Sequence, residues 1–369
     1  MKKKILLISN MYPDKKNPSF GVFVKRSEEI LICEGFEVNK IVLFKERRKI
    51  YKAIKYIKHY VHSVFSIIFN SNDIIYVHYA SHNALPIIVA KLFKRKKQLV
   101  TNVHGSDVVP ETTIQQFFQP LVKKMLRMSD KIIVPSKYFK QLVRKKYNLD
   151  SGNIYISPSG GIDQKIFFKT NEIDKIPNLD KNYNYIGYVG RVDKGKGWNL
   201  FVDLIAKIKE KGILEQNIRF IIVGNGAEYS QMLEKIEGNN LKEEILLMDF
   251  LNQEQLRNIY NMIDLFIFPT TREGESLGLV GLEAMACGTP VVGSSMAGPK
   301  EYIEHGENGF LFEPGNLDDL FKQVEKYYNL TKDNKILMGE NARNTSNLYS
   351  KEKVKEQLIR IFNEVREKG

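Results

Sequence analysis

Two glutamates, Glu275 and Glu283, stand with seven residues between them in a segment rich in small side chains. The pattern predicts an apolar strand, a polar loop, and a helix that begins near Ser276 and ends at Gly288. Backbone N–H groups at the start of a helix can bind a phosphate. Carboxylates beside them can accept hydrogen bonds from hydroxyl groups. We therefore expect a ligand that carries phosphate together with sugar or ribose hydroxyls.

A second candidate site is the glycine-rich loop from Gly190 to Gly197, which follows another predicted strand. Such a loop, with cations beside it and a helix after it, suits a diphosphate. Arg191 can hold two phosphate oxygens at once, and Lys196 supplies a point charge. The turn at Gly224, after the next strand, lacks the third glycine of a dinucleotide fingerprint. Taken alone, these loops could also be surface turns with solvated charges.

Polar residues and a glycine also follow predicted strands in the first half of the chain. His104 and Asp107 come after one strand, and Gly21 comes after the first strand. The histidine could contact a ligand or be structural, and Asp107 could bind an acceptor or cap the following turn. Gly21 would let the backbone approach a phosphate closely, or it could simply begin a helix.

These loops depend on the strands that precede them. Short apolar runs alternate with helical stretches along the chain, which predicts parallel sheets covered by helices on both faces. The predicted strands are 4–9, 37–44, 74–78, 98–103, 131–134, 153–157, 185–189, 219–223, 245–248, 265–268 and 290–292. Sheets of this kind bind ligands at the carboxyl ends of their strands, where the loops described above begin.

The domain organisation is indicated by length and by one interruption of the pattern. The chain has 369 residues, which suits two domains. Residues 165–182 lack clear periodicity and contain turn-forming residues, which predicts a linker. We therefore expect a first domain at 1–170 and a second at 171–345. Residues 346–369 would hold a charged helix that packs back on the first domain.

The segment with the two glutamates resembles the E-x7-E signature of retaining glycosyltransferase family 4. Residues 190–197 are similar to the family's cationic loop, and residues 104–107 to its H-G-x-D segment. Gly21 matches only part of a double glycine, and Gly160 replaces a usual asparagine. The resemblance covers about residues 1–330. It implies an α/β protein of GT-B architecture, with two doubly wound Rossmann-like domains facing each other across a cleft.

The resemblance also implies a role for each matching residue. The first family glutamate contacts the donor sugar and the second the ribose, which gives these roles to Glu275 and Glu283. Arg191 and Lys196 would neutralise the leaving diphosphate, and His104 would face the donor sugar. These assignments make His104, Arg191, Lys196 and Glu275 the expected catalytic residues. The remaining expected donor contacts are Gly21, Gly190, Gly224, Ser276, Leu277, Gly278 and Leu279.

The implied reaction is transfer of a hexose or N-acetylhexosamine from a nucleotide-diphosphate sugar, with retention of configuration. Family frequencies favour UDP, and no metal ion or other cofactor is expected. The first domain would bind a glycan or lipid-linked acceptor in cell-surface polysaccharide synthesis. Two alternatives remain open: a sugar-nucleotide epimerase or hydrolase on the same fold, and a basic nucleic-acid-binding module. The latter is disfavoured because the sequence contains no nucleic-acid recognition motif.

Charge is distributed unevenly along the chain. Residues 1–170 hold 31 lysines and arginines against 12 acidic residues, whereas the whole chain has a net charge of +13. Residues 50–64 predict a basic amphipathic helix, which is typical of a membrane-surface element. The alternative is an ordinary helix packed on the sheet. With only two cysteines and no apolar run long enough to span a bilayer, we expect a cytoplasmic protein in peripheral contact with the inner face of the plasma membrane.

Overall fold

The computed structural model describes residues 3–17, 20–46, 48–94, 96–172, 179–180, 182–212 and 217–367. The chain divides into two compact units, residues 1–161 with 352–369, and residues 162–351. Residues 162–170 therefore belong with the second unit. Of the expected linker at 165–182, residues 173–178 and 181 lie outside the described residues.

The first unit is built on a six-stranded parallel sheet with the order β2-β1-β3-β4-β5-β6. Its strands are β1 (Lys4–Ser9), β2 (Glu37–Val42), β3 (Ile74–His78), β4 (Gln98–Asn102), β5 (Lys131–Val134) and β6 (Ile154–Ile156). Its helices are α1 (Val22–Cys33), α2 (Lys49–Phe69), α3 (Ala80–Phe93), α4 (Thr113–Phe117), α5 (Gln119–Met128) and α6 (Lys137–Tyr147).

The second unit repeats the arrangement, with the strand order β12-β11-β10-β7-β8-β9. Its strands are β7 (Asn184–Val189), β8 (Ile218–Val223), β9 (Ile245–Met248), β10 (Leu265–Phe268), β11 (Val291–Ser294) and β12 (Gly309–Phe312). Its helices are α7 (Trp198–Glu210), α8 (Tyr229–Gly238), α9 (Gln253–Met262), α10 (Leu279–Ala286), α11 (Leu317–Tyr328) and α12 (Lys332–Asn347). Two parallel sheets with interleaved helices confirm the predicted α/β class.

Strand β12 is the one described strand that the sequence pattern did not predict. It has only four residues and begins at Gly309, which weakens the strand signal. The glycine is needed for packing, because a Cβ there would stand 2.2 Å from the carbonyl oxygen of Val291 on the neighbouring strand. The pairing of β12 with β11 is therefore specified by close backbone contact.

The last helix, α13 (Lys351–Glu367), completes the first unit. Alternate residues of β1 point to opposite faces of the sheet, and Ile5 and Leu7 share a buried cluster with Phe362 of α13. The Phe362 ring is fully buried and lies 4.9 Å from the ring of Tyr76, centroid to centroid. A segment distant in sequence thus covers one face of the first sheet. No described helix is long and apolar enough to cross a membrane.

Replacing Phe362 with alanine should destabilise the first unit by about 3–5 kcal/mol, because the ring is lost from a closed core. Chemical denaturation monitors this loss. Phe117→Ala removes the same ring from a position that is 77% exposed and should leave the transition almost unchanged. Similar losses in the two variants would contradict the packing of α13 described above.

Candidate functional site

In each sheet, strands are first added on one side of a central strand and then on its other side. In the second unit the chain runs from β7 outward to β8 and β9 and then returns to β10 on the other side of β7. In the first unit the same change occurs between β1 and β3. Connections diverge at such a point and leave a crevice beyond the carboxyl ends of the strands. The candidate residues of both halves follow these strands.

Three loops of the second unit are held together by backbone hydrogen bonds. They follow β7, β8 and β10. The amide of Thr271 donates to the carbonyl of Gly195 at 2.9 Å, which joins the first loop to the third. The amide of Val192 donates to the carbonyl of Asn225 at 3.1 Å, which joins the first loop to the second. The loops therefore form one platform.

Glycine is required where these loops touch. Gly197 has φ +81°, and a Cβ there would stand 1.9 Å from the carbonyl oxygen of Pro269. Gly224 has φ +140°, and its Cβ would stand 1.9 Å from the carbonyl oxygen of Gly190. A side chain would push the loops apart and would also strain the backbone. Gly190 and Gly224, which were predicted as donor contacts, thus meet within the platform, and Gly197 closes its other contact.

Lys196 and Glu275 form an ion pair on this platform. The lysine Nζ lies 2.6 Å from Glu275 Oε2, and the two side chains are 19% and 13% exposed. Arg191 pairs with Asp193 at 2.6 Å, but 58% of the arginine side chain is exposed. Lys196 is therefore an enclosed cation that is already paired with a carboxylate, whereas Arg191 faces the solvent and can turn towards a ligand.

The predicted helix start near Ser276 is wrong, because α10 begins at Leu279. Gly278 precedes the helix with φ +81°, which is outside the helical range. The helix therefore starts about one turn later than expected. Glu275 and Ser276 consequently lie in the loop. The side chain of Leu277 is buried in the core, which leaves its backbone as the part able to contact a ligand.

Glu283 lies on α10 and accepts a hydrogen bond from the hydroxyl of Tyr260 at 3.2 Å. Burial, together with the nearby Glu283 charge, raises the pKa of Tyr260 well above its ordinary value. The hydroxyl therefore remains a donor and orients the carboxylate. Sequence analysis did not identify Tyr260, because no pattern in α9 shows that its tyrosine faces the neighbouring helix.

In the first unit, His104 lies in a partly buried polar group at the carboxyl ends of the strands. Its Nε2 is 3.0 Å from Nδ1 of His78, and its Nδ1 is 3.2 Å from Oγ of Ser159. The ring also packs on Phe23, with centroids 4.2 Å apart. Sequence analysis missed His78 and Ser159. A second histidine at the end of the strand beside the switch point was the available signal.

Both histidines are neutral at physiological pH. Burial lowers the pKa of His104 to about 3, and it holds the pKa of His78 well below its ordinary value. A neutral imidazole can donate from one nitrogen and accept at the other. The pair therefore adds no positive charge at these strand ends, and it can be joined by a hydrogen bond between the two rings.

Asp107 does not have the geometry expected of a residue that binds the acceptor substrate. Its side chain is fully buried, and its carboxylate accepts hydrogen bonds from the amides of His104, Gly105 and Ala80 at 2.9–3.0 Å. These bonds join the loop after β4 to the start of α3. Asp107 is thus a positioning residue for His104.

Gly21 lies just before α1, where the backbone passes close to that of Met11. It has φ +76°, and a Cβ would stand 2.7 Å from the carbonyl of Met11. Helix α1 begins at Val22, so this glycine places the backbone at the carboxyl edge of the first sheet. Residues 18–19 of the same segment lie outside the described residues.

A cavity of about 340 Å³ opens near this edge, within the first unit. Its walls are formed by Asn10, Met11, Phe20, Leu43, Phe44, Lys45, Glu46, Lys52, Lys55, Tyr56, Tyr79 and His82. Three lysines and two tyrosines give the cavity cations, hydrogen-bond donors and aromatic faces. Among the described residues, no group of three or more His, Cys, Asp or Glu side chains could hold a metal ion.

Comparison with known proteins identifies similar sequences in both units. Residues 169–345 match the family model of glycosyl transferases group 1, and residues 25–163 match the model of glycosyltransferase family 4. A curated relative is N-acetyl-alpha-D-glucosaminyl L-malate synthase of Bacillus anthracis, which is 27% identical over 300 residues. That alignment covers 79% of this chain and 75% of the relative.

Solved structures share the fold at low identity. Sucrose-phosphate synthase from Thermosynechococcus elongatus matches with a TM-score of 0.82 and 19% identity, over 100% of both chains. Anabaena HepE in complex with UDP and glucose matches with a TM-score of 0.74 and 16% identity, over 98% of this chain and 100% of the other. Both are structural neighbours of GT-B type.

Replacing Gly197 with alanine should lower the free energy of unfolding for two separate reasons. The left-handed conformation costs about 1 kcal/mol for a side-chain-bearing residue, and the collision with Pro269 adds roughly 1–3 kcal/mol. Gly212 is a matched control, because it has φ +71° and nothing within 4 Å of an added Cβ. Chemical denaturation of both variants measures the difference. Equal losses would mean that the loops are not in close contact.

Proposed function

The chain belongs to the group 1 glycosyltransferases of family 4, and we propose that it transfers a hexose or N-acetylhexosamine from a nucleotide-diphosphate sugar to a glycan or lipid-linked acceptor. The proposed transfer retains the anomeric configuration and uses no metal ion. One observation carries the proposal: the enclosed Lys196–Glu275 pair lies on a loop platform at the switch point of the second sheet. That position suits a phosphorylated sugar.

The donor diphosphate is proposed to bind Lys196 and Arg191. An arriving diphosphate competes with Glu275 for the lysine, while Arg191 leaves the solvent and holds two oxygens in a fork. Negative charge grows on the diphosphate as the sugar departs, so cations fixed on rigid loops stabilise that departure. The complex of Anabaena HepE with UDP and glucose supports UDP as the nucleotide.

The sugar and the ribose are proposed to be bound by the remaining polar residues. Once Lys196 turns to phosphate, Glu275 can accept hydrogen bonds from hydroxyls of the donor sugar. His104, neutral and held by His78, is proposed to contact the same sugar. Tyr260 orients Glu283 for the ribose hydroxyls. The name of the Bacillus anthracis relative supports an N-acetylhexosamine among the possible sugars.

The acceptor is proposed to bind in the cavity of the first unit. Lys45, Lys52 and Lys55 suit an acceptor that carries phosphate, as a lipid-linked sugar does. Tyr56 and Tyr79 offer aromatic faces and hydroxyls for a sugar ring. Such an acceptor fits a step in cell-surface polysaccharide synthesis.

The proposed chemistry takes place on one face of the donor sugar. The bond between the anomeric carbon and the diphosphate oxygen breaks, and the electron pair stays on the diphosphate. The acceptor oxygen bonds to the anomeric carbon from the same side. Its proton passes to the departing diphosphate oxygen, which serves as the base. No protein nucleophile takes part, and the cations of the loop platform lower the energy of the separated charges.

Replacing Glu283 with alanine should weaken UDP binding roughly 10- to 100-fold, because hydrogen bonds to a charged group contribute about 1.5–3 kcal/mol. Isothermal titration calorimetry in the presence of EDTA measures the affinity. Glu307→Ala, an exposed glutamate of the same unit, is the control and should bind as the unaltered protein does.

Two results would contradict the donor assignment. One is equal affinity of the Glu283 and Glu307 variants for UDP. The other is binding of UDP that disappears when EDTA removes divalent metal. If the protein bound GDP or ADP in place of UDP, the proposed site would stand and only the assigned nucleotide would change.

Replacing Lys196 with alanine should lower kcat by about 10²- to 10³-fold, as does the loss of one group that stabilises developing charge. Lys194→Ala changes an exposed lysine of the same loop and should retain activity. The assay supplies UDP-glucose or UDP-N-acetylglucosamine with an alkyl glycoside, and NMR gives the anomer of the product.

A product of inverted configuration would contradict the retaining mechanism. Release of free sugar, or its conversion to an epimer without consumption of the alkyl glycoside, would favour the hydrolase or epimerase alternatives over transfer.

A further inference from the structure

Helix α2 carries its apolar residues on the outside of the molecule. Ile50, Ile54, Ile57, Val61, Phe65 and Phe69 recur at helical spacing, and each is between 45% and 75% exposed. Residues at this spacing form one stripe along the helix. This apolar stripe therefore does not face the core, as the stripe of an ordinary helix packed on the sheet would.

The face that α2 buries is largely small and polar. His59, Ser63 and Ser66 are buried with Ile67, and His59 Nε2 lies 2.9 Å from the amide oxygen of Asn83 on α3. The helix is held to the molecule by this inner face. The outer apolar stripe consequently takes no part in the packing of the core, and its exposure needs another explanation.

Helix α3 extends the exposed apolar surface. It places Ala84 and Ile87 in the same core cluster as Ile67 of α2, so both helices lie on one face of the first sheet. Away from that core, α3 exposes Leu85, Val89, Leu92 and Phe93, of which Phe93 is 69% exposed. We call these four residues and the six on α2 the apolar ridge.

Positive charge accompanies the apolar ridge. Helix α2 contains no acidic residue, and Lys49, Lys52 and Lys58 are exposed along it. From position 48 to position 97, the sequence holds ten lysines and arginines, and Asp73 is the single acidic residue. An apolar stripe flanked by lysines is the pattern of a helix that lies in a membrane surface.

We propose that the apolar ridge docks on an anionic lipid bilayer, with its apolar side chains in the headgroup region and its lysines against the lipid phosphates. Charge complementarity selects this occupant. A symmetric contact with a second copy of the chain would bring lysine against lysine, because a two-fold interface places the same surface on both sides. An anionic bilayer presents the opposite charge.

The test is co-sedimentation of the full chain with vesicles, without any sugar nucleotide, so that its outcome is independent of the proposed transfer. Vesicles of phosphatidylcholine mixed with phosphatidylglycerol should bind the protein, and vesicles of phosphatidylcholine alone should bind it weakly. Changing Lys49 and Lys58 to glutamine should weaken binding roughly 25-fold, at about 1 kcal/mol for each lysine near the surface.

The apolar part of the ridge is tested by changing Phe65 and Phe93 to serine together. Since each ring would lose its burial in lipid, binding should fall roughly tenfold or more. Phe250→Ser with Leu348→Ser is the matched control. These residues are 71% and 67% exposed in the second unit, and the control should bind as the unaltered protein does. All variants should unfold at the same temperature as the unaltered protein.

Three binding results would overturn the proposal: no binding of the unaltered protein to anionic vesicles, equal binding of the ridge and control variants, or equal binding to neutral and anionic vesicles. A self-associated protein that becomes monomeric only in the Phe65 and Phe93 variant would likewise overturn it, because the ridge would then be a subunit interface. Light scattering of the same samples gives the oligomeric state.

Discussion

Backbone-to-backbone contact at the carboxyl edge of the second sheet is the constraint on which the candidate donor site depends. Gly197 lies against the carbonyl of Pro269, and Gly224 against that of Gly190, at distances that exclude a side chain. These contacts fix three loops from three strands into one platform. The enclosed Lys196–Glu275 pair can hold its position because both of its residues lie on loops that cannot move independently.

The two units treat charge differently at their strand ends. In the second unit, the charged groups Lys196, Glu275 and Arg191 stand in compensated pairs on the loop platform. In the first, burial keeps His78 and His104 neutral, and the buried carboxylate of Asp107 is satisfied by backbone amides. A diphosphate needs cations, whereas a sugar hydroxyl needs neutral donors and acceptors. The difference agrees with the proposed division of labour between the loop platform and the histidine pair.

Helix α2 shows why an amphipathic pattern alone does not say which side of a helix is buried. The sequence predicted a basic amphipathic helix over residues 50–64, and the structure has α2 at Lys49–Phe69. An apolar stripe normally faces the core, yet here the buried residues of the helix are Ile67 and the polar residues His59, Ser63 and Ser66. The polar contact from His59 to Asn83 and the small size of the serines allow α2 to lie close to α3. Only the packing of neighbouring elements reveals this reversal.

The sequence alone determined the α/β class, eleven of the twelve described strands, and the loops that carry the candidate residues. It could do so because apolar runs and glycine-containing turns are local signals. Tertiary structure decided which loops meet, since strand order brings β10 beside β7 although two strands separate them along the chain. It also decided the start of α10, the partners His78 and Tyr260, and the burial of Asp107. The start of α10 depends on the positive φ of Gly278. The two partners and the burial of Asp107 depend on contacts between residues far apart in sequence, which local patterns do not encode.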